Sequence, residues 1–285
     1  MVRVGVHVSI AGSPDKAIDR AEERGCDCFQ IFTKNPRGWA AKEITDDIAS
    51  DFIHKLRNSP LTPAIAHMPY LPNLASENPD IFKKSVDALK DELVRCSRLQ
   101  IPLLVTHLGH AKDDLKSGRL RVIDAAIQAL DQDPGCTRLL LENTAGEKNS
   151  VGSKLEDISQ VLDGIGRHPR IGVCFDTCHA FAAGYDLRTR NVVYSLIDQI
   201  VDLIGVHSVN LIHLNDTKGD IGSGLDRHEH IGLGRIGEEG LQTFLTNPLL
   251  QNIPVICETP VDERRGDKEN ICVVRRLTEN FSDLL

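Results

Sequence analysis

Basic charge, aromatic side chains and long apolar runs are all scarce in this chain of 285 residues. Lys and Arg total 33 against 41 Asp and Glu, a formal charge of −8. Nonspecific nucleic-acid binders are normally basic, so the balance argues against that role. Aromatics are 4 % of residues, too few for a broad platform that stacks single-stranded bases. The longest uninterrupted apolar stretches, Ala180 to Ala183 and Ile271 to Val274, are far too short to span a membrane. The opening MVRVGVHVSIAG reads as a β-strand and lacks the apolar core of a signal peptide. Eight cysteines in a mid-sized chain without a secretion signal read as reduced thiols, which places the protein in the cytoplasm. After the first strand, Ser9-Ile10-Ala11-Gly12-Ser13 lacks the spacing of a dinucleotide-binding loop. No Pro-, Gly- or Ser-rich linker divides the chain, so residues 1–285 read as a single domain.

What is present is a regular alternation of strands and amphipathic stretches. Apolar, β-branched runs predict strands at Arg3–Ser9, Cys28–Phe32, Ala64–His67, Leu103–His107, Arg138–Glu142, Gly172–Asp176, Val209–Leu214 and Pro254–Glu258. Helical periodicity predicts helices at Ser13–Arg24, Thr45–Arg57, Pro79–Leu99, Arg119–Leu130, Leu155–Ile165, Asn191–Ile204, Gly237–Leu245 and Lys268–Phe281. Ser13-Pro14-Asp15 and Thr45-Asp46-Asp47 carry capping oxygens at two of the starts. Eight strands, each followed by a helix, predict an α/β fold: a single (β/α)₈ TIM barrel.

The ends of these strands carry the chemistry. From the third to the eighth they end in or beside His67, His107, Glu142, Asp176, His213 and Glu258. Barrel enzymes place their reactive groups at this C-terminal mouth, supplied by several strands. A lone strand-end histidine is ordinarily a satisfied polar residue. Three imidazoles and three carboxylates in one pit are different, because crowded carboxylates repel unless a cation sits among them. Mixed His and carboxylate donors suit zinc, manganese or iron better than calcium or magnesium. His179 follows Asp176 by three residues, and the run Asp226-Arg227-His228-Glu229-His230 offers an acid and a histidine more; either His228 or His230 fits the spacing. Cys178 is expected to pack behind the site, and Cys174 and Cys257 to act as small buried apolar residues. His7 ends the first strand, where it could orient a pit residue; His110 is expected to be exposed in a loop. Two or three divalent ions suit phosphate ester hydrolysis, since they can activate water and stabilise a leaving oxygen.

The sequence resembles the endonuclease IV family of zinc-dependent apurinic/apyrimidinic endonucleases. The matching segments run from end to end: Gly5-Val6-His7-Val8-Ser9, Phe32-Thr33-Lys34-Asn35-Pro36-Arg37, His67-Met68-Pro69-Tyr70-Leu71, His107-Leu108-Gly109, Leu141-Glu142-Asn143-Thr144, Asp176-Thr177-Cys178-His179-Ala180, His213-Leu214-Asn215-Asp216-Thr217-Lys218, Asp226-Arg227-His228 and Glu258-Thr259-Pro260. The resemblance implies three zinc ions. One would be held by His67, His107 and Glu142, a second by Glu142, Asp176, His213 and Glu258, and a third by His179, Asp226 and His228. Glu142 would bridge the first two and position a hydroxide between them. The implied reaction is DNA repair: hydrolysis of the phosphodiester 5′ to an abasic site in duplex DNA, leaving a 3′-hydroxyl and a 5′-deoxyribose phosphate.

The same resemblance gives Arg37, Tyr70 and Leu71 a role as wedges that bend the duplex and help turn out the abasic sugar. By composition alone these residues could simply cover the barrel rim. The segment Ala145-Gly146-Glu147-Lys148-Asn149-Ser150 departs from the family's Gly-rich loop, and His110 stands where a small residue is usual. The rival reading is a metal-dependent sugar isomerase or epimerase on the same barrel, which leaves no clear use for the Asp226-Arg227-His228 set. No membrane or protein partner is expected.

Overall fold

The computed structural model describes residues 2–279. In chain order its elements are β1 (Val4–His7), α1 (Lys16–Glu23), β2 (Cys28–Phe32), α2 (Asp46–Arg57), β3 (Ala64–His67), α3 (Pro79–Leu99), β4 (Leu103–His107), α4 (Leu115–Gln132), β5 (Arg138–Glu142) and α5 (Leu155–Gly164). There follow β6 (Ile171–Asp176), α6 (Thr177–Ala182), α7 (Arg190–Leu203), β7 (Val209–His213), β8 (Asp216–Thr217), β9 (His228–Glu229), α8 (Gly237–Leu245), β10 (Val255–Cys257) and α9 (Asp267–Glu279). Eight strands close a parallel barrel in the order β1-β10-β7-β6-β5-β4-β3-β2. The expected TIM barrel is the fold.

The helices form for local reasons that the sequence displays. Asn78 caps α3 by accepting from the backbone N–H groups of Asp80 and Ile81, and Pro79 supplies a preset first turn. At the other end Gln100 adopts φ 55°, the left-handed conformation that closes a helix, and its N–H returns to the last turn. Along the inner face Leu89, Leu93, Cys96 and Leu99 are fully buried; each leucine so buried is worth roughly 1.5–3 kcal/mol. Thr45 caps α2 by accepting from Ile48 N–H.

Several boundaries differ from the expected ones. The first helix starts at Lys16 rather than Ser13, because the Ser13 hydroxyl bonds the Asp15 carboxylate within a separate turn. Helix α4 begins at Leu115, capped by Asp114, not at Arg119. Gly118 disguised that start: a Cβ there would lie 2.5 Å from the Ala111 Cβ, so the glycine serves close packing, not a break. The first, seventh and eighth barrel strands are shorter than expected by one or more residues at each of their C-terminal ends. The end expected at Phe281 lies outside the described residues. Helix α6 and the antiparallel pair β8–β9 are additions that periodicity could not find, being six and two residues long.

Two cores result. A large one fills the space between sheet and helices. A smaller one plugs the barrel with Cys28, Ile65, Val105, Leu140, Cys174, Leu211 and Ile256, one residue from each of seven strands. The eighth, β1, contributes Gly5, whose backbone packs so tightly that a Cβ would fall 1.8 Å from the Cys28 carbonyl oxygen. Among the described residues no helix is long and apolar enough to cross a membrane.

Candidate metal centre

Side chains alternate faces along a strand, so the residue two beyond each member of the barrel plug points inward again, one layer nearer the mouth. Stepping two from Gly5, Cys28, Ile65, Val105, Leu140, Cys174, Leu211 and Ile256 gives His7, Gln30, His67, His107, Glu142, Asp176, His213 and Glu258. The polar pit is thus a single layer of the barrel, with one residue from each of seven strands and Glu258 from the position just past β10. Its apolar floor lowers the local dielectric and strengthens every interaction above it.

Glu142 is at the centre. Its Oε2 lies 3.1 Å from His67 Nε2 and 3.5 Å from His107 Nε2, while its Oε1 lies 2.9 Å from His213 Nδ1 and 3.6 Å from His179 Nδ1. His213 Nδ1 is also 3.3 Å from Glu258 and 3.9 Å from Asp176. Asp176 does two further jobs. One oxygen caps α6 by accepting from the His179 N–H, and the other accepts from the Asn215 amide. Helix α6 therefore begins on a ligand candidate and turns His179 over the mouth.

The third group depends on the excursion between β7 and α8. Pairing of β8 with β9 folds it back, opposing Thr217 to His228. Buried Asp216 holds the returning loop by accepting from four backbone N–H groups, those of Thr217, Gly234, Ile236 and Gly237. Asp226 then lies 3.4 Å from His179 Nε2 and 3.1 Å from His228 Nε2. His230, the other histidine open to choice from spacing, turns away; it is fully buried and bonded to Asp262 and Asn270.

Among the described residues five sets of donor atoms fall within 4.8 Å of one another; two of them draw in the buried thiols of Cys174 or Cys178, and the other three are His67, His107 and Glu142; Glu142, Asp176, His213 and Glu258; and His179, Asp226 and His228. These three are the same sets that the family resemblance implies. Two observations indicate that they suit a divalent cation. First, His228 Nε2 is buried 3.1 Å from Asp226 yet makes no well-formed hydrogen bond, so this inward nitrogen is not committed to a protein partner. Second, outer nitrogens are tied down: His67 Nδ1 donates to Met68 O, His179 Nδ1 to Asn143 O and His228 Nδ1 to Glu258 O. Such bonds fix the tautomer and aim the other nitrogen inward, as in zinc sites.

Protonation in the metal-free chain points the same way. Burial opposes charge on His179, His213 and His228; surrounding carboxylates overcome it at His179 and His228, and Cys174 together with Glu258 and Glu142 at His213, so that His179 and His213 rise well above the usual histidine range and His228 to about 9. Burial likewise opposes ionisation of Glu142 and Asp226, but neighbouring histidines hold both carboxyls far below the usual range. Glu258 falls to about 2, chiefly because His213 outweighs its burial. Burial raises Asp176 and lowers His107 and His7, the last to about 4. His67 is raised too, as its bond to Glu142 outweighs burial, so protons on these four histidines stand where cations would balance the acids.

Around this pit lies a cleft of about 520 Å³ lined in part by Tyr70, Lys218, Arg227 and Thr259. Tyr70 and Leu71 are exposed at its rim, and Arg37 is exposed on the loop after β2. That loop is anchored below by a buried network. Lys34 Nζ sits 3.1 Å from buried Glu92 and 2.8 Å from Asp91, Thr33 donates to Glu92, and Arg95 bonds Thr33 and the Lys42 carbonyl. His110 is exposed and its backbone bonds Asn73, while the 145–150 segment packs by Gly146 against Gly224. Cys174, Cys178 and Cys257 are buried, with thiols pushed up mainly by that burial, to about 12 for Cys174.

Sequence reasoning missed Gln30, Asn143, Asn215 and Asp216. Asn143 clamps the Asp176 backbone through both its amide atoms, and Asn215 carries Asp176 and the Glu258 N–H. The available signal for Gln30 was a lone amide in the apolar strand CFQIF.

Comparison with known proteins bears on this arrangement. A family described as xylose isomerase-like TIM barrel matches residues 18–277. The protein named "Probable endonuclease 4" of Methanoculleus marisnigri is 55% identical over 280 residues, covering 97% of this chain and 99% of that one. That of Methanosphaerula palustris is 54% identical over 283 residues, covering 97% and 98%. This chain belongs to the endonuclease IV family. Endonuclease IV from Thermus thermophilus superposes with a TM-score of 0.88 at 34% identity, over 98% of this chain and 99% of its own. A D-tagatose 3-epimerase-like protein shares the fold at TM-score 0.72 and 18% identity, over 99% and 98% of the two chains. At that identity the likeness speaks for the barrel alone.

Proposed function

We propose that this chain is a zinc-dependent repair endonuclease that hydrolyses the phosphodiester 5′ to an abasic site in duplex DNA, leaving a 3′-hydroxyl and a 5′-deoxyribose phosphate. The observation that carries the reading is the convergence of nine donor residues in three groups at the barrel mouth of an endonuclease IV family member. His67, His107 and Glu142 would hold one ion, Glu142, Asp176, His213 and Glu258 a second, and His179, Asp226 and His228 a third. Bound there, such ions supply an activated water at neutral pH and charge stabilisation for the departing O3′. Glu142, in reach of two groups at once, sets the distance between them.

The chain's other residues would bind and orient. Arg37 offers its guanidinium to a backbone phosphate, and Tyr70 and Leu71 present apolar surface that can enter the base stack. Extruding an abasic nucleotide is cheap because the lost base leaves no stacking to break. The eight unpaired thiols suit a reducing compartment, so we place the protein in the cytoplasm. The third donor group favours this reading over a sugar epimerase, which has no use for it.

The test is a duplex carrying one synthetic abasic site, incubated with zinc-loaded protein. A single nick on the 5′ side, with a 3′ end that a polymerase extends, is expected. Binding without a nick, with every zinc in place, would defeat the enzyme reading. Glu142→Ala should abolish cleavage while the barrel's circular dichroism is retained; full activity would contradict its bridging role.

A further inference from the structure

Gln30 is fully buried in the polar layer and is its one member without an ionisable side chain. It reaches from β2 across the barrel interior to strands β7 and β10. Its Oε1 lies 2.9 Å from His213 Nε2, and its Nε2 lies 2.7 Å from Glu258 Oε1 and 3.2 Å from His7 Nδ1. The orientation of this amide follows from its partners. Ionised Glu258 only accepts hydrogen bonds, so the amide nitrogen faces it and the carbonyl oxygen must face His213. An oxygen there requires a proton on His213 Nε2.

We infer that Gln30 is a positioning residue of the metal centre, fixing which nitrogen of His213 and which oxygen of Glu258 face the donor group they share with Glu142 and Asp176. With one proton fixed on Nε2, His213 has only Nδ1, 2.9 Å from Glu142 and 3.3 Å from Glu258 Oε2, to offer to a cation once that nitrogen gives up its own proton. Glu258 spends Oε1 on Gln30 and keeps Oε2 for the group. The second amide hydrogen goes to His7 Nδ1, which gives His7 its place: it steadies Gln30 and touches no third group through that atom. The contrast with the other histidines is what isolates the role. His67, His179 and His228 have their outer nitrogens held by backbone carbonyls, which no substitution removes. His213 alone among these four depends on a side chain, and the nitrogen it turns toward the donor group is the opposite one, Nδ1.

The inference rests on the metal-centre part of the proposed function and not on its substrate. Gln30→Met keeps length and removes both polar atoms. Zinc retained per chain is measured against chelators of graded strength, and melting is recorded metal-free and zinc-loaded. Loss of such an orienting partner typically weakens a metal by about 10–100-fold. One ion should weaken by that factor while the others stay within a few-fold, and the gap between zinc-loaded and metal-free melting should narrow. A merely structural role would lower both melting temperatures together and leave the gap intact; that result, or an unchanged zinc affinity, overturns the inference. Should Gln30→Met fail to fold, ¹⁵N-histidine spectra of the zinc-loaded wild-type chain decide. Besides the buried Nε2–H of His230, bonded to Asp262, they should show a slowly exchanging Nε2–H at His213, against Nδ1–H forms at His67, His179 and His228; Nδ1–H at all four of these overturns it. A wild-type chain that takes up no zinc overturns the metal centre itself, and Gln30's role with it. DNA cleavage is not read, so an error in substrate leaves the outcome unaffected.

Discussion

Zinc binding at the His179–Asp226–His228 group should depend steeply on pH, because a cation must displace protons already there. In the metal-free chain His228 titrates near 9, with burial opposing its charge and the carboxylates of Asp226 and Asp176 overcoming it. At pH 7 about one molecule in a hundred has this histidine neutral, so apparent affinity should sit ~100-fold below its high-pH limit. That is about 3 kcal/mol of competition from a single proton. Affinity should therefore rise about tenfold per unit between pH 7 and 9 from His228, and more steeply once His179, also raised, gives up its own. Asp226 adds nothing to the slope, since its neighbours keep it ionised throughout. Competition against a fluorescent chelator across that range gives the slope, and calorimetry in buffers of different ionisation heat counts the protons released. Replacing His228 by Asn should reduce the slope by about one proton per ion. A flat profile from pH 7 to 9, with no proton release, would refute the electrostatic account of the pit.

The same shift has a consequence for folding with the opposite sense. A histidine raised above its unfolded value of about 6.5 stabilises the metal-free protein fully below that pH and loses its contribution as pH rises through about 9, so metal-free melting should fall across this window. Glu92→Ala leaves Lys34 buried beside only the half-exposed Asp91, which should cost about 3 kcal/mol and lower the melting temperature by roughly 6–12 °C; a calorimetric shift near zero would mean Asp91 suffices. Arg37→Ala should weaken DNA binding at every salt concentration and reduce the salt slope by about one, with zinc content unchanged; an unaltered slope would remove Arg37 from the phosphate contacts. Of the eight thiols, the exposed Cys136 and Cys272 should react promptly with a disulfide reagent and the buried six only on unfolding.

The fold was legible because buried parallel strands are short apolar runs of the right length, separated by helices with their own stop signals. The centre was legible where ligand candidates close a strand: His67, His107, Glu142 and Asp176 are each the last residue of their element. Gln30 escaped notice because barrel strands tilt and stagger, so that one interior layer cuts successive strands at different depths. In β2 the layer falls on the third residue of five, where a polar side chain looks like an isolated irregularity. Asp216 escaped for a different reason. Its partners are backbone N–H groups of residues 217 to 237, and nothing in side-chain identity announces a carboxylate that organises a loop.

The acidic excess takes on a different meaning once the layer is drawn. Glu142, Asp176, Asp226 and Glu258 belong to the four carboxylates of the donor groups, where divalent ions would outweigh them and leave the mouth attractive to a phosphodiester. On the proposed function an intact duplex would present its phosphates to Arg37 and the rim, whereas an abasic nucleotide, easily extruded, would bring its phosphate down to the donor groups. Discrimination would then follow from whether a nucleotide leaves the stack to reach the donor layer. Affinity for undamaged duplex should be weak and little changed by removing zinc, while affinity for the abasic duplex should fall sharply when zinc is removed. Equal zinc dependence for both duplexes, measured by fluorescence anisotropy with a non-cleavable abasic analogue, would show that the pit does not select the lesion.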